Sequence, residues 1–193
     1  CIRDRLDGLT TEERYVVCRI VRAEGDPEIA KAVGFSPGAV DFGIAAIKAK
    51  AAVVTDVRMV EVGISKALLS RCGITTHCQI DTTNTAERAK AEGTTRSVAA
   101  LRELKTHLNG AIAVVGNAPT ALLALLDMIT AGAVSPALVI GMPVGFIACA
   151  ESKAELAKVD VPYISVWERR GGSSAAAATV NALLGLALQE VSL

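Results

Sequence analysis

Several groups in this 193-residue chain have the type and spacing to do chemistry. Asp56 closes the apolar run Ala52 to Thr55, and Asp81 closes Thr76 to Ile80. A carboxylate at the end of a strand can serve as a general acid or base, and it can equally cap the turn that follows. Gly116-Asn117-Ala118-Pro119 joins the run Ala111 to Val115 to a helical pattern ending near Thr130. It offers a glycine for a sharp turn, an asparagine able to cap and a proline fit for the first helical position. If that strand is central in an open sheet, the helix N–H groups point out at its carboxyl end, where ligands bind; a plain strand-to-helix turn has the same composition. Cations recur at helix starts: Lys66 after the cap Ser65, Arg96, and Arg169-Arg170 ahead of Gly171-Gly172-Ser173. Each opposes the helix dipole by ~0.3–1 kcal/mol. The repetition suits an anionic ligand that supplies the compensating charge, although each cation could simply be solvated or salt-bridged.

Other chemistries find no support. There is no Walker loop, no G-x-G-x-x-G after a strand and no G-x-S-x-G, and a lone Gly-Gly-Ser is a weak phosphate signal. The five cysteines, Cys1, Cys18, Cys72, Cys78 and Cys149, are scattered without a C-x-x-C pair, so neither a disulfide framework nor a zinc ribbon is expected and a cytoplasmic location is. Cys78 is expected in the core. His77 reads as a packed or edge histidine and His107 as a dipole partner near a helix end, so no metal site is expected. Twenty basic residues balance twenty acidic ones, which leaves no overall field for nucleic acid or an anionic membrane. The longest apolar tract, Pro136 to Ala150, is too short and too broken to span a bilayer. The chain opens on Cys1 rather than methionine, so native residues ahead of it are expected to be missing.

The elements that must position these groups follow from periodicity. Thr10 and Glu13 have capping-box spacing, and the helix they open turns Val16, Val17, Ile20 and Val21 inward before Gly25 stops it. Asp26-Pro27 and Ser36-Pro37 start further helices. Strands are expected at Ala52–Thr55, Thr76–Ile80, Ala111–Val115, Ala137–Ile140 and Tyr163–Val166, with helices between them and an alanine-rich helix from Ser174 to about Glu190. Parallel neighbours need such crossovers. The fold class is therefore α/β: a three-layer α/β/α, flavodoxin-like arrangement with a five-stranded parallel sheet in a single domain, residues 1–193. Returning helices begin at the carboxyl side of the strands. On that geometry the Arg96 and Ser36 helix starts join the Asn117, Pro143 and Gly171 loops around one crevice. Its ligand should carry several acidic groups on a bulky body that sits among Met59, Val60, Met142, Val144 and Phe146.

At this point the residues resemble a family. Gly116 to Leu122 (G-N-A-P-T-A-L), Pro136 to Phe146 (P-A-L-V-I-G-M-P-V-G-F) with Glu151-Ser152-Lys153, and Arg170-Gly171-Gly172-Ser173 are similar to the precorrin-8X methylmutases, also called precorrin isomerases. Asp56 to Gly63 and Gly93 to Ser97 look like that family's intermediate motifs, so the similarity runs in order along nearly the whole chain. It implies a flavodoxin-like homodimer of cobalamin biosynthesis. The reaction would move a methyl group from C-11 to C-12 of precorrin-8 or cobalt-precorrin-8, giving hydrogenobyrinate or its cobalt form. No separate cofactor is expected, because this is an intramolecular rearrangement, and the tetrapyrrole's carboxylates match the ligand described above. By resemblance Arg96 and Ser97 hold a carboxylate. Asn117, Ala118, Met59, Ser65, Met142, Pro143, Val144, Gly145, Arg170, Gly171, Gly172 and Ser173 line the substrate site.

The chain departs from the family pattern at two positions. The family motif M-[IV]-H-A-x-G carries a histidine held to be the general acid that protonates a ring nitrogen; the match here, Ile20-Val21-Arg22-Ala23-Glu24-Gly25, puts Arg22 in the catalytic position. A guanidinium stays protonated, so it can hydrogen-bond and stabilise negative charge but is a poor proton donor. Glu168 stands where glycine is common in the family. Two functions follow as expectations: a methylmutase in which positioning and electrostatics suffice, or a relative that binds a tetrapyrrole or other polycarboxylate without isomerising it.

Overall fold

The computed structural model describes residues 6–189. Cys1 and the expected end of the last helix at Glu190 lie outside them. The first helix, α1 (Thr11–Glu24), has the capping box in full: the Thr10 hydroxyl accepts from the Glu13 N–H at 3.1 Å, and the Glu13 carboxylate accepts from the Thr10 N–H at 2.9 Å. Gly25 ends it in the left-handed region at φ 67°, where glycine carries no side-chain clash. A 3-10 turn (Pro27–Ala32) leads to strand β1 (Val33–Phe35) and helix α2 (Ala39–Lys48). There follow β2 (Val53–Thr55), α3 (Arg58–Gly63), α4 (Lys66–Cys72), β3 (Thr76–His77), α5 (Thr83–Ala91) and α6 (Arg96–Glu103). The chain continues with β4 (Ile112–Val115), α7 (Pro119–Thr130), β5 (Leu138–Gly141), α8 (Cys149–Leu156), β6 (Tyr163–Val166) and α9 (Ser173–Ala187).

The strands form one six-stranded sheet in the order β1-β6-β5-β4-β2-β3, parallel throughout except for β1. The parallel strands alone follow the doubly wound order expected of a flavodoxin-like sheet, with the direction of winding reversing between β2 and β4. Side chains alternate between two cores. Ile112, Val114, Leu138, Ile140 and Ile164 pack under α1, α2 and α9. Val54, Ala113, Val115 and Val139 pack under α6 and α7. Helices thus cover both faces, which is why these strands read as continuous apolar runs.

The sixth strand corrects the expected five. Val33, Gly34 and Phe35 pair antiparallel with Val166, Ser165 and Ile164. Three residues containing a glycine leave no readable alternation, and their partners lie at the far end of the chain. Gly34 is required because the Trp167 indole lies against it: a Cβ there would sit 2.2 Å from the indole Nε1. The same strand moves Ser36. Its N–H donates to the Tyr163 carbonyl at 3.0 Å and its hydroxyl accepts from the Tyr163 N–H at 2.8 Å, so it sits where β6 begins. The α2 start is therefore at the amino end of the parallel strands and does not join the carboxyl-end crevice. Strand β3 is shorter than expected because Arg58 draws in the Cys78 carbonyl and the Asp81 carboxylate, ending the ladder at His77.

Helix α9 is the spine of the first layer, packed against α1, α2, α3 and α4. Ala175, Ala176, Ala177 and Ala178 are all buried, which lets neighbouring backbones approach closely. A Cβ on Gly63 would lie only 2.8 Å from that of Ala177.

Candidate functional site

The point where the winding reverses is filled by the chain itself. Asp56, at the end of β2, is wholly buried. Its carboxylate accepts from the N–H groups of Gly116 (2.9 Å), Asn117 (3.0 Å) and Ala118 (2.9 Å) across the top of β4. This corrects the expectation that these N–H groups face a ligand. Nor does Asn117 cap the helix: Ala118 is the N-cap residue, without a side-chain bond, and Asp56 does the capping from the neighbouring strand. Burial pushes the Asp56 carboxyl above the usual carboxylate range, and the three N–H donors pull it back. The Asn117 side chain is left exposed. Asp81, the other strand-ending carboxylate, pairs with Arg58, which holds it below its ordinary value.

Around this junction the expected loops do meet. Gly116 faces Val60 of α3 and the first turn of α9 at Ser173 and Ala176. The Gly172 N–H donates to the Met142 carbonyl at 2.9 Å, and the Arg169 guanidinium lies 5.8 Å from the centre of the Phe146 ring. Thr95, which caps α6, lies 3.2 Å from the Thr120 hydroxyl, so Arg96 stands exposed beside the start of α7, with Ser97 buried below it. Met142 and Pro143 are also buried beneath the loop, Met142 accepting a bond from Thr179 at its sulfur. Met59 and Val62 of α3, and Val144 and Phe146 of the loop after β5, are exposed apolar side chains. Gly145 belongs to the same loop, at φ 137°.

One opening lies beside this junction, between α1, α3 and α9. It is a cleft of about 470 Å³ lined by Arg19, Arg22, Ala23, Gly63, Ser174, Ala177, Ala178 and Asn181. That volume is in the range of small-molecule sites, ~300–1,000 Å³. It exists because Gly63 and the two alanines put no bulk there. Arg19 and Arg22 lie one turn apart on one face of α1, and among the described residues neither has a carboxylate partner. Asn181 closes the floor, accepting from the Ser65 N–H at 2.8 Å and donating to the Gly63 carbonyl at 2.9 Å. Ser174 bonds to Glu24 at the rim. Two cations facing a cleft walled by Gly63, Ala23, Ala177 and Ala178 can take up a ligand with acidic groups on a hydrophobic body.

Arg170 is placed differently. Its guanidinium is paired with Asp26, and its side chain lines a separate cleft of about 290 Å³ with Glu28, Lys31, Trp167 and Glu168. Its backbone, not its charge, stays with the Gly171-Gly172 turn. Arg19 and Asn181 escaped the sequence reading. The signal for Arg19 was its place three residues before Arg22, whereas Asn181 lies inside a helix with nothing local to mark it. His77 and His107 stand with ring centroids 4.3 Å apart at the β3 edge, where burial lowers the His77 pKa. Among the described residues no three His, Cys, Asp or Glu side chains gather at metal-binding distance.

Comparison with known proteins places the chain in a family. The profile of the family described as Precorrin-8X methylmutase matches residues 1–186. A Precorrin-8X methylmutase of Pseudomonas aeruginosa is 43% identical over 180 residues, covering 92% of this chain and 86% of the relative. A Cobalt-precorrin-8 methylmutase of Priestia megaterium is 42% identical over 178 residues, covering 92% and 79%. Among solved structures, the Precorrin-8x Methyl Mutase from Thermus thermophilus superposes with a TM-score of 0.88 at 37% identity, over 97% of this chain and 93% of that one.

Proposed function

This chain belongs to the precorrin-8X methylmutase family, and we propose that it moves a methyl group from C-11 to C-12 of precorrin-8 or cobalt-precorrin-8. It is an isomerase of the methylmutase kind, at work in cobalamin biosynthesis. What carries the reading is a family match that runs over nearly the whole chain and meets a cleft of the right character.

In this reading the macrocycle enters the α1–α3–α9 cleft. Arg19 and Arg22 take its acidic side chains, Met59 and Val144 flank its apolar body, and Arg96 with the Asn117 side chain holds a further carboxylate. Ser65 and the Gly171 to Ser173 turn complete the boundary. The migration is intramolecular, so the chain's tasks are to orient the ring and to stabilise the tautomer from which the methyl group departs. Arg22 can donate a hydrogen bond to a ring nitrogen or carboxylate while keeping its own proton. We further propose that residues 1–193 form one domain, that two copies associate, and that the protein acts in the cytoplasm, where the thiols of Cys18, Cys78 and Cys149 stay reduced. No helix of the described residues is long and apolar enough to cross a membrane.

Incubating the protein with precorrin-8, or its cobalt form, and following the visible spectrum tests the reading. Conversion to the hydrogenobyrinate-type spectrum is expected; tight binding without conversion would select the second reading, a non-isomerising binder, which the arginine at position 22 favours. Arg22→His should raise turnover by supplying a group that titrates near neutrality. Arg96→Ala should weaken hydrogenobyrinate binding about tenfold, the size expected for one charge-assisted contact; an unchanged titration would remove Arg96 from the site.

A further inference from the structure

Lys153 is fully buried in α8, an unusual place for an ammonium group. Burial pushes its pKa below the ordinary lysine value, while the neighbouring Cys149 favours the charge. Its Nζ donates to the Arg170 carbonyl at 2.6 Å and to the Glu168 carbonyl at 3.1 Å. One turn earlier the Cys149 thiol donates to the Pro143 carbonyl at 3.0 Å and lies 3.5 Å from the Glu168 carbonyl. Side chains of α8 therefore grip both loops at the carboxyl end of the sheet from behind, and the Gly172 to Met142 bond joins them in front.

This grip has a geometric consequence. Every described peptide bond is trans, so a carbonyl and the N–H that follows it point in opposite directions. With the Glu168 and Arg170 carbonyls turned onto Lys153, the N–H groups of Arg169 and Gly171 face away from α8, and no described residue accepts from either. Glu168 itself sits in the left-handed region at φ 61°, which costs a non-glycine residue about 1 kcal/mol. The two bonds to the ammonium hold it there.

We propose that Lys153 is a positioning residue for the reaction: its buried ammonium sets the Glu168 to Gly172 backbone so that the Arg169 and Gly171 amides face a carboxylate of the substrate. The inference rests on the tetrapyrrole reading of the site. Lys153 never touches the ligand, yet it decides which atoms of the loop do. A neutral side chain at this position leaves the part-buried Arg170 carbonyl without its donor and the Glu168 carbonyl with only the weak Cys149 thiol, so the turn relaxes and the amides lose their aim.

Lys153→Met tests this by visible-absorption titration with hydrogenobyrinate, below the melting temperature of the variant. The expected result is a tenfold or greater rise in Kd for the folded protein. In turnover with precorrin-8, KM should rise while kcat stays within about twofold, a split that general loosening of the fold would not produce. Equal Kd values for the variant and the unsubstituted chain would overturn the inference alone. Absence of binding by the unsubstituted chain would overturn the tetrapyrrole reading and this inference with it. If Lys153→Met melts below the assay temperature, Lys153→Gln replaces it, since its shorter, uncharged amide keeps a polar group in the site but cannot reach both carbonyls as the ammonium does. A threefold or greater rise in Kd then supports the inference, and an unchanged Kd overturns it.

Discussion

Asp56→Ala should lower stability by about 3–5 kcal/mol and abolish tetrapyrrole binding even where the chain stays folded. The carboxylate accepts three N–H groups from the β4–α7 turn and is itself wholly buried. Alanine leaves those donors facing a small apolar void, and each unsatisfied buried donor costs about 1–3 kcal/mol, moderated wherever water enters. The loss is also one of shape. Without the carboxylate the Gly116 to Ala118 backbone has no reason to hold its present turn, and Asn117 and Ser173 lose their mutual placement. Asp56→Asn should be milder, because its amide oxygen still accepts while its NH2 group meets a donor instead of receiving one. Urea denaturation measures the first effect and titration with hydrogenobyrinate the second. A stability loss below about 1 kcal/mol for Asp56→Ala would show that the three bonds contribute little.

Gly116→Ala should cost about 1–3 kcal/mol, the usual range for an added methyl in a packed core, and should displace the start of α9. The new Cβ would lie 2.5 Å from a methyl of Val60 and 3.1 Å from both the Ala176 Cβ and the Ser173 Cα. Val60 is wholly buried and β-branched, so it has little freedom to turn aside. The backbone of α9 must therefore give. Val60→Ala in the same chain should recover part of the loss, and a double-mutant cycle by thermal denaturation reads the coupling directly. Additive effects of the two substitutions would disprove the steric account.

What was legible in the sequence was local. The capping box at Thr10 and Glu13, the apolar runs of β2, β4, β5 and β6, and the glycine stop at Gly25 each reside within a few neighbouring residues. The family motifs extended that reach to the loops that gather at the carboxyl edge. What escaped was set by distance along the chain. Asp56 finds its acceptor role with residues 60 to 62 positions away, which no local pattern reports. Three residues of β1 become a strand only because Val166, Ser165 and Ile164 are there to pair with them. Arg170 looked like a ligand cation by its position before Gly-Gly-Ser, and it is instead held by Asp26. Lys153 lay inside a quoted motif, but its role depends on carbonyls 15 and 17 residues on.

The brevity of the two outer strands bears on how the protein avoids its own kind. An open sheet ordinarily presents a row of unpaired amides and carbonyls at each margin, and an incoming strand can zip onto either. Here β1 is three residues long, runs against the others and carries the Trp167 indole over its central glycine, while β3 offers only Thr76 and His77. The long, apolar strands that would polymerise most readily are all interior. The sheet thus gives a second copy almost no backbone to extend, which guards a β-rich centre against fibrous association. It also leaves any orderly pairing of subunits to side-chain surfaces, such as those that carry the exposed Met59, Val62 and Phe146.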